Sequence, residues 1–285
     1  MIGINRFFRV LLPFVLLTTA LSAHSQTLPQ PAPTPPVSLP RSLERDFFRN
    51  ILRDQKAIWT APLHVERSDA KWMIPAGVGL MALFTTDRIT GDEMNEAHRQ
   101  LGTSRAVSQA GAIYALGGVA TTFYLLGRRE HNYRARETGL LSAEALIDSV
   151  IVEGVLKEIT QRARPADGVE RSEFFDGGSS FPSGHSTQVW AVATVVANEY
   201  KHRRAVQLAA YGVATAVSVA RFTGQKHYVS DVVAGSALGY GIGRYVYGAH
   251  HRDELHPTIS SGWPRIAPEF DRHAHRYGVA LSWNF

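Results

Sequence analysis

Apolar residues recur at three- and four-residue spacing over residues 42–59, where Leu43, Phe47 and Ile51 are separated by charged side chains. This spacing predicts an amphipathic helix. Two placements of the helix are open. Its apolar face packs on the rest of the domain, or the helix lies at a membrane surface, for which its basic residues are suitable and its acidic residues are not.

Six mostly apolar stretches follow and also predict helices, whereas almost no alternating strand pattern occurs before the C-terminus. The stretches are 72–86, 106–127, 139–156, 187–198, 205–220 and 232–248. The second contains 22 uncharged residues, which is long enough to cross a bilayer. Several others are shorter or contain acids, and the mean hydropathy is −0.12. We therefore expect a water-soluble or peripherally bound domain, with a membrane-spanning bundle as the alternative.

Both ends of the chain differ from this helical region. Residues 1–25 combine Arg6 and Arg9 with an apolar run and a final group of small residues, a pattern typical of an export signal cleaved after Ser25. The six prolines of residues 26–41 indicate an extended linker. Residues 249–285 end in an alternating pattern that predicts a strand or hairpin. We expect the histidines of this tail to be solvated or to bind metal adventitiously: His250, His251, His256, His273 and His275.

The predicted fold is all-α, a bundle of about six core helices plus the N-terminal amphipathic helix, with a short C-terminal β hairpin or strand. Its domains are the signal peptide 1–25, the Pro-rich linker 26–41, the helical domain 42–248 and the tail 249–285. The export signal predicts a periplasmic or cell-envelope protein, and an integral membrane protein is the alternative.

Composition excludes several classes of protein and of site. The 285 residues contain no cysteine, which excludes a disulfide scaffold, a Cys-ligated zinc site, an iron–sulfur cluster and thiol catalysis. The net charge of +5 is too small to predict nucleic-acid binding, and no aromatic residues are interleaved with the basic ones.

Three motifs contain the candidate chemistry. In the first, Lys157 and Arg164 are seven residues apart, which places them on one face of a helix that Pro165 ends. In the second, Ser183, Gly184 and His185 open an apolar helix. Ser183 can cap that helix, whose first N–H groups and positive dipole end would face an anion beside His185.

The third motif contains Arg221, His227 and Asp231 and opens another apolar helix. In helical geometry, residues four apart lie on one face, so the Asp231 carboxylate can orient the His227 imidazole. A carboxylate on one ring nitrogen fixes the tautomer and leaves the other nitrogen free to act as a base or nucleophile.

Taken together, Lys-x6-Arg-Pro, Pro-Ser-Gly-His and Arg-x5-His-x3-Asp resemble the signature of the type-2 phosphatidic acid phosphatase and vanadium haloperoxidase superfamily. The chain departs from the usual pattern at Ala220, where the family has serine. The motifs span residues 157–231, and the resemblance in helix order extends over about residues 45–248.

The resemblance implies a metal-independent phosphatase that acts through a phosphohistidine, with no cofactor and with vanadate as an inhibitor or phosphate mimic. His227 is then the nucleophile, Asp231 orients it, and His185 protonates the leaving alcohol and assists hydrolysis. The implied phosphate-binding residues are Lys157, Arg164, Ser183, Gly184 and Arg221. On this basis, we expect His227→Ala to abolish turnover and Arg162→Ala, outside the motifs, to change little.

Two other functions are open at this point: a vanadate-dependent haloperoxidase, and a catalytically silent envelope-binding module. The expected partner is a phosphorylated small molecule or a lipid phosphate, with a membrane surface as a further candidate. The motifs bind phosphate and do not identify the alcohol, and the sequence contains no indication of oligomeric state.

Overall fold

The computed structural model describes residues 42–95, 107–165, 173–251, 265–271 and 276–282. The predicted signal peptide and linker lie outside these residues. In the described part, seven α-helices are present: α1 Ser42–Thr60, α2 Ala70–Asn95, α3 Ile113–Arg129, α4 Tyr133–Thr160, α5 Gly184–Glu199, α6 Arg204–Thr223 and α7 Val229–His250. This confirms the prediction of an all-α fold with six core helices and an N-terminal helix.

Two strands follow the last helix. β1, Arg265–Asp271, pairs with β2, Arg276–Ser282, in an antiparallel hairpin whose register places Arg265 opposite Ser282. The hairpin lies in the region where the alternating pattern predicts one.

Helix α5 is the centre of the bundle because it is apolar and buried on nearly every side. Val189, Val192 and Val196 pack with side chains of α3, α4 and α6. Ala191 and Val195 point to the other side and pack with α4 and α7. Its position is therefore fixed by neighbours on both sides.

Helix α7 packs closely on α5 through a stripe of three glycines at four-residue spacing, Gly235, Gly239 and Gly243. A Cβ at Gly239 would overlap the carbonyl oxygen of Thr187, and one at Gly243 would overlap that of Ala191. Small residues on a helix face allow two backbones to approach in this way. The stripe therefore fixes the N-terminus of α7 beside the N-terminus of α5.

The predicted helix 106–127 is interrupted in the structure. A 3₁₀ turn at Gln109–Gly111 is followed by Ala112 in an extended conformation with ψ of 146°, and α3 begins at Ile113. At the break, Gly111 lies against Val217 of α6, whose side chain a Cβ would overlap.

Helix α1 packs on the bundle through a face where Ile51, 7% exposed, lies beside polar side chains. Asn50 and Asp54 are 6% and 0% exposed, whereas Phe48 and Leu52 are 77% and 73% exposed. The helix therefore does pack on the domain, but a large part of its apolar surface faces outward.

Candidate active site

Three helix ends meet at one end of the bundle, namely the C-terminus of α4 and the N-termini of α5 and α7. The backbone N–H of Ser183, the N-cap of α5, donates to the carbonyl oxygen of Asp231 in the first turn of α7 at 3.0 Å. The backbone N–H of Gly178 donates to the carbonyl oxygen of Gln161, just past α4, at 2.9 Å. These backbone bonds bring the three sequence motifs together.

The first motif is not continuous helix, so the prediction that Lys157 and Arg164 share one helix face is wrong. Helix α4 ends at Thr160, and Gln161 takes the left-handed conformation with φ of 44°. The helix therefore stops well before Pro165. Lys157 remains in its last turn, with Nζ 3.7 Å from Glu153 Oε1. Arg164 lies in the following non-helical segment and donates from Nη2 to Ser179 Oγ at 3.1 Å.

The second motif opens α5 as predicted. Ser183 is the N-cap, Gly184 is the first helical residue and His185 lies in the first turn. The Ser183 side chain makes no capping bond. It is fully buried and accepts a hydrogen bond from Ser186 Oγ at 3.1 Å, which leaves its own hydroxyl proton available to another acceptor.

His227 of the third motif lies in the connection between α6 and α7, with only 2% of its surface exposed. Its Nδ1 is 2.7 Å from the carbonyl oxygen of Ser180. Because a carbonyl oxygen can only accept, Nδ1 must carry the proton. The neutral ring therefore has its lone pair on Nε2, which lies 3.4 Å from Arg221 Nη2.

The prediction that Asp231 orients His227 directly, from the same helical face, is not what the structure shows. Helix α7 begins at Val229, so His227 is not helical, and its Nδ1 is 3.9 Å from Asp231 Oδ2. The link is indirect. Ser180 Oγ donates to Asp231 Oδ2 at 2.5 Å, and the carbonyl oxygen of the same serine accepts from His227.

Three cations surround the two histidines. Arg221 is held by a hydrogen bond from Nη1 to Ser108 Oγ at 2.7 Å, which the break before α3 makes possible. Burial, followed by the positive charge of Arg164, lowers the pKa of Arg221 to about 10. The guanidinium is therefore still charged at neutral pH. Lys157 and Arg164 complete a positive region suited to an anion.

Both histidines are kept neutral by these surroundings. Burial and then the charges of Arg221, Lys157 and Arg164 lower the pKa of His185 to about 4. Burial and then the charges of Arg221 and Arg164 lower the pKa of His227 well below its usual value. Both effects disfavour the cationic ring.

Arg162 is the main residue that the sequence analysis missed. It is 1% exposed and donates from Nη1 to Asp231 Oδ1 at 2.5 Å and to Ser230 Oγ at 2.7 Å. Its carbonyl oxygen accepts from the backbone N–H of Ser180 at 2.8 Å. These bonds argue against the expectation that Arg162→Ala changes little, because the arginine side chain holds Asp231, which in turn accepts from the Ser180 hydroxyl beside His227.

Asp87 of α2 is the second acid bound to Arg162, from which it accepts at 2.8 Å through Oδ2. It also accepts from the backbone N–H of Ser230 at 3.2 Å and from the Ser230 hydroxyl. In the sequence, Asp87 is a single acid at the end of an apolar stretch. Nothing in that pattern identifies an arginine 75 residues away as its partner.

In the described part of the chain, two groups of side chains are close enough to hold a metal ion, and neither includes a residue of the three motifs. One is Asp54, Glu144 and His250, and the other is Glu137, Glu199 and His251.

Comparison with known proteins matches residues 138–254 to the model of the PAP2 superfamily. A PA-phosphatase related-family protein of Dictyostelium discoideum is 27% identical over 53% of this chain and 61% of its own length. Phosphatidylglycerophosphatase B of Bacillus subtilis is 33% identical over 40% of this chain and 59% of its own. Lipid A 1-phosphatase of Porphyromonas gingivalis is 36% identical over 24% of this chain and 16% of its own length.

The aligned part of this chain thus spans less than two thirds of each of these relatives. The matched segment contains Lys157 and Arg164, the α5 N-terminus with His185, and the whole of the third motif. Residues 138–254 of this chain are therefore similar to the PAP2 superfamily.

Proposed function

We propose that this protein is a phosphatase that hydrolyses phosphate monoesters without a metal ion, through a phosphohistidine at His227. The observation that carries the proposal is the state of His227, which is buried, neutral and protonated on Nδ1. Its Nε2, which carries the lone pair, accepts a long hydrogen bond from Arg221 Nη2 at 3.4 Å and lies near two further cations. A nucleophile needs this lone pair, and a phosphate oxygen needs these positive charges.

The substrate phosphate binds between Lys157, Arg164 and Arg221, whose three positive charges exceed the two negative charges of a monoester. The Ser183 hydroxyl and the Gly184 N–H at the α5 N-terminus supply further donors. In phosphoryl transfer, this positioning and neutralisation of the phosphoryl oxygens provide most of the catalysis.

The reaction then proceeds in two steps. The bound phosphate dianion favours the protonated ring of His185. Nε2 of His227 then attacks phosphorus, the bond from phosphorus to the alcohol oxygen breaks, and the protonated His185 gives its proton to that oxygen. Water next attacks phosphorus and gives a proton to His185, and the phosphorus–nitrogen bond breaks with its electron pair returning to Nε2. Inorganic phosphate leaves, and both histidines return to their starting states.

A lipid phosphate is the substrate class that we favour. Two of the relatives are named for lipid phosphatase activities. The described helices also expose large apolar side chains that would contact lipid favourably, among them Trp72, Ile74, Val78 and Met81 of α2 and Leu208 of α6. We infer that the domain is membrane-associated, which departs from the water-soluble domain favoured by mean hydropathy.

In the described part of the chain, α6 is the one helix long and apolar enough to cross a membrane, with a mean hydropathy of 1.3 over its most apolar window. This is weak evidence by itself, so the exposed apolar faces carry the membrane assignment. Export to the periplasm or cell envelope rests on residues 1–25 and stays a prediction.

The test measures phosphate release in EDTA from a micellar lipid phosphate and from a soluble aryl phosphate, with wild type and His227→Ala in parallel. We expect release by wild type, faster from the lipid, and none by the variant. Release that needs an added metal, or that survives in the variant, would contradict the mechanism. Faster release from the aryl phosphate would contradict only the choice of substrate. Peroxide-dependent halide oxidation on addition of vanadate would instead favour the haloperoxidase.

A further inference from the structure

A second polar cluster lies inside the bundle and takes no part in the proposed reaction. It consists of Asp54 from α1, Glu144 and Asp148 from α4, and His250 from α7, and we call it the Asp54 cluster. The three acids are 0% exposed and the histidine is 9% exposed. Along α4, Glu144 is thirteen residues before Lys157, which corresponds to about 20 Å at the helical rise.

The ligand atoms of this cluster lie close together. His250 Nε2 is 2.9 Å from both carboxylate oxygens of Asp54. One ligand atom each of Asp54, Glu144 and His250 lies within 4.8 Å of the others. The histidine is therefore buried and bonded, not solvated as its place in the tail sequence suggests.

Two carboxylate oxygens of the cluster have no hydrogen-bond partner among the described residues. Asn50 Nδ2 donates to Glu144 Oε1 at 3.2 Å, and Gln55 Nε2 donates to Asp148 Oδ1 at 2.8 Å. The other oxygens, Glu144 Oε2 and Asp148 Oδ2, are buried and without a partner. Buried carboxylate oxygens are costly unless a donor or a cation satisfies them.

The positive charge available to the Asp54 cluster is also too small to balance its three carboxylates. In the described part of the chain, no Lys or Arg forms an ion pair with any of its three acids, so His250 faces three carboxylates. Like charges that share a buried site need protons or a cation to neutralise them.

In a neighbouring cluster, one protonated histidine neutralises the buried carboxylates. His251 Nδ1 lies 3.2 Å from Glu137 Oε1 and 3.2 Å from Glu199 Oε2. These two acids raise the pKa of His251 to about 10, against the opposing effect of burial, so the ring is a cation between them. We call this group the His251 cluster. It contains one cation for two acids, whereas the Asp54 cluster contains one histidine for three acids.

We propose that the Asp54 cluster binds one divalent cation of the Mn²⁺ or Zn²⁺ type. One imidazole nitrogen with several carboxylate oxygens is a donor set for these ions, since imidazole suits zinc and carboxylate suits manganese. The ion replaces the proton between His250 and Asp54 and satisfies the free oxygen of Glu144, while the Asp148 carboxyl lies beside that of Asp54. Because its ligands come from α1, α4 and α7, it fastens α1 to the bundle.

The binding test uses the purified full chain in detergent, stripped with EDTA and then dialysed. Mn²⁺ binding is followed by the electron paramagnetic resonance signal of the free ion, and Zn²⁺ binding by calorimetry. We expect one equivalent of at least one of these ions to bind, with a rise in Tm. Glu144→Gln keeps the shape of the side chain and should weaken binding by about tenfold or more.

Three control proteins separate this site from others. Glu137→Gln makes the same change in the His251 cluster, His227→Ala changes the catalytic site, and a triple alanine variant removes His256, His273 and His275 of the tail. Each should bind the ion as wild type does. Where Glu144→Gln does not fold by circular dichroism, Asp54→Asn, which changes another member of the ligand group, makes the same test.

Three results would overturn the proposal. The first is that wild type binds neither ion stoichiometrically. The second is that the Glu144→Gln protein, or its Asp54→Asn substitute, binds as wild type does. The third is that binding is lost in Glu137→Gln, in the tail variant or in His227→Ala, which would assign the ion to another site.

Discussion

His185 lies in a positive field that a bound phosphate would reverse. In the ligand-free protein, burial and three cations hold its pKa at about 4, so it carries no proton to donate at neutral pH. A phosphate dianion beside it favours the protonated ring. We therefore predict, by NMR of the His185 ring, titration near pH 4 in the free protein and a higher midpoint when inorganic phosphate is bound. An unchanged midpoint would remove His185 as the general acid.

The same two histidines predict a bell-shaped dependence of rate on pH. His227 attacks as the neutral ring, so activity falls as the pH drops through its lowered pKa. His185 donates as the cation, so activity also falls as the pH rises through its pKa in the substrate complex. The measurement is kcat from roughly pH 4 to roughly pH 9. A flat profile would contradict this division of roles.

Arg162 is the positioning residue whose loss should be most costly outside the motifs. Arg162→Ala leaves Asp87 and Asp231 as buried, unpaired acids, which should cost about 3–5 kcal/mol of unfolding free energy. It also releases Asp231, which holds the Ser180 hydroxyl beside His227. We expect a large fall in kcat with a small change in KM, measured with wild type under conditions where both proteins are folded.

The matched control for this arginine is Arg129→Ala, since the side chain of Arg129 is 82% exposed. It should leave both kcat and Tm near those of wild type. Arg162→Lys keeps the charge but loses the two-armed hydrogen bonding. If this variant has a higher Tm than Arg162→Ala but no higher kcat, Arg162 has a positioning role. Equal activity of Arg162→Ala and wild type would contradict the assignment.

Sequence patterns identified the motif residues that the structure brings together, but not the bonds between them. The charge and spacing of Lys157, Arg221 and His227 are visible in the sequence. The contact of His227 with the Ser180 carbonyl depends on a loop fold, which no periodicity encodes. The pairing of Arg162 with Asp87 joins segments 75 residues apart, and a single chain carries no signal for such a pair.

At the scale of elements, the packing of α7 on α5 should determine activity through the glycine stripe. A Cβ at Gly239 would overlap the backbone oxygen of Thr187, which can move only with its helix. We expect Gly239→Ala to cost about 1–3 kcal/mol and to lower kcat, because it separates the helix N-termini that hold Ser183 and Asp231.

Gly241 provides the matched control on the same helix. It is exposed, and a Cβ there would meet nothing within 4 Å. Gly241→Ala should therefore stabilise the helix by about 0.5–1 kcal/mol and leave kcat unchanged. Thermal unfolding and kcat measured on both variants test the claim, and similar effects at the two positions would refute it.

The start of α5 was easier to predict than the end of α4. The Ser183 cap and the apolar run after it locate the start of α5 at Gly184. The proline rule placed the end of α4 near Pro165, but the helix stops at Thr160 because Gln161 adopts a left-handed conformation. A glutamine in that conformation is held by its surroundings, including backbone bonds to Asp176 and Gly178, and not by its own preference.

For the whole molecule, the direction in which side chains face was the feature that sequence patterns predicted least well. Helix α1 is amphipathic, yet Asn50 and Asp54 point into the bundle while Phe48 and Leu52 point out. The apolar periodicity predicts that Ile51 faces inward, as it does, but it does not predict that Asn50 and Asp54 are buried beside it. The buried polar cluster and the exposed apolar surface follow from this single orientation.

The account as a whole depends on a covalent phosphate at His227. The most direct measurement is a rapid alkaline quench of the protein with a substrate labelled in its phosphate, followed by location of the label. We predict a phosphoenzyme that is stable in alkali, labile in acid, located on His227 and absent from His227→Ala. Label on another residue, label that persists in the variant, or turnover with no phosphoenzyme would contradict the account.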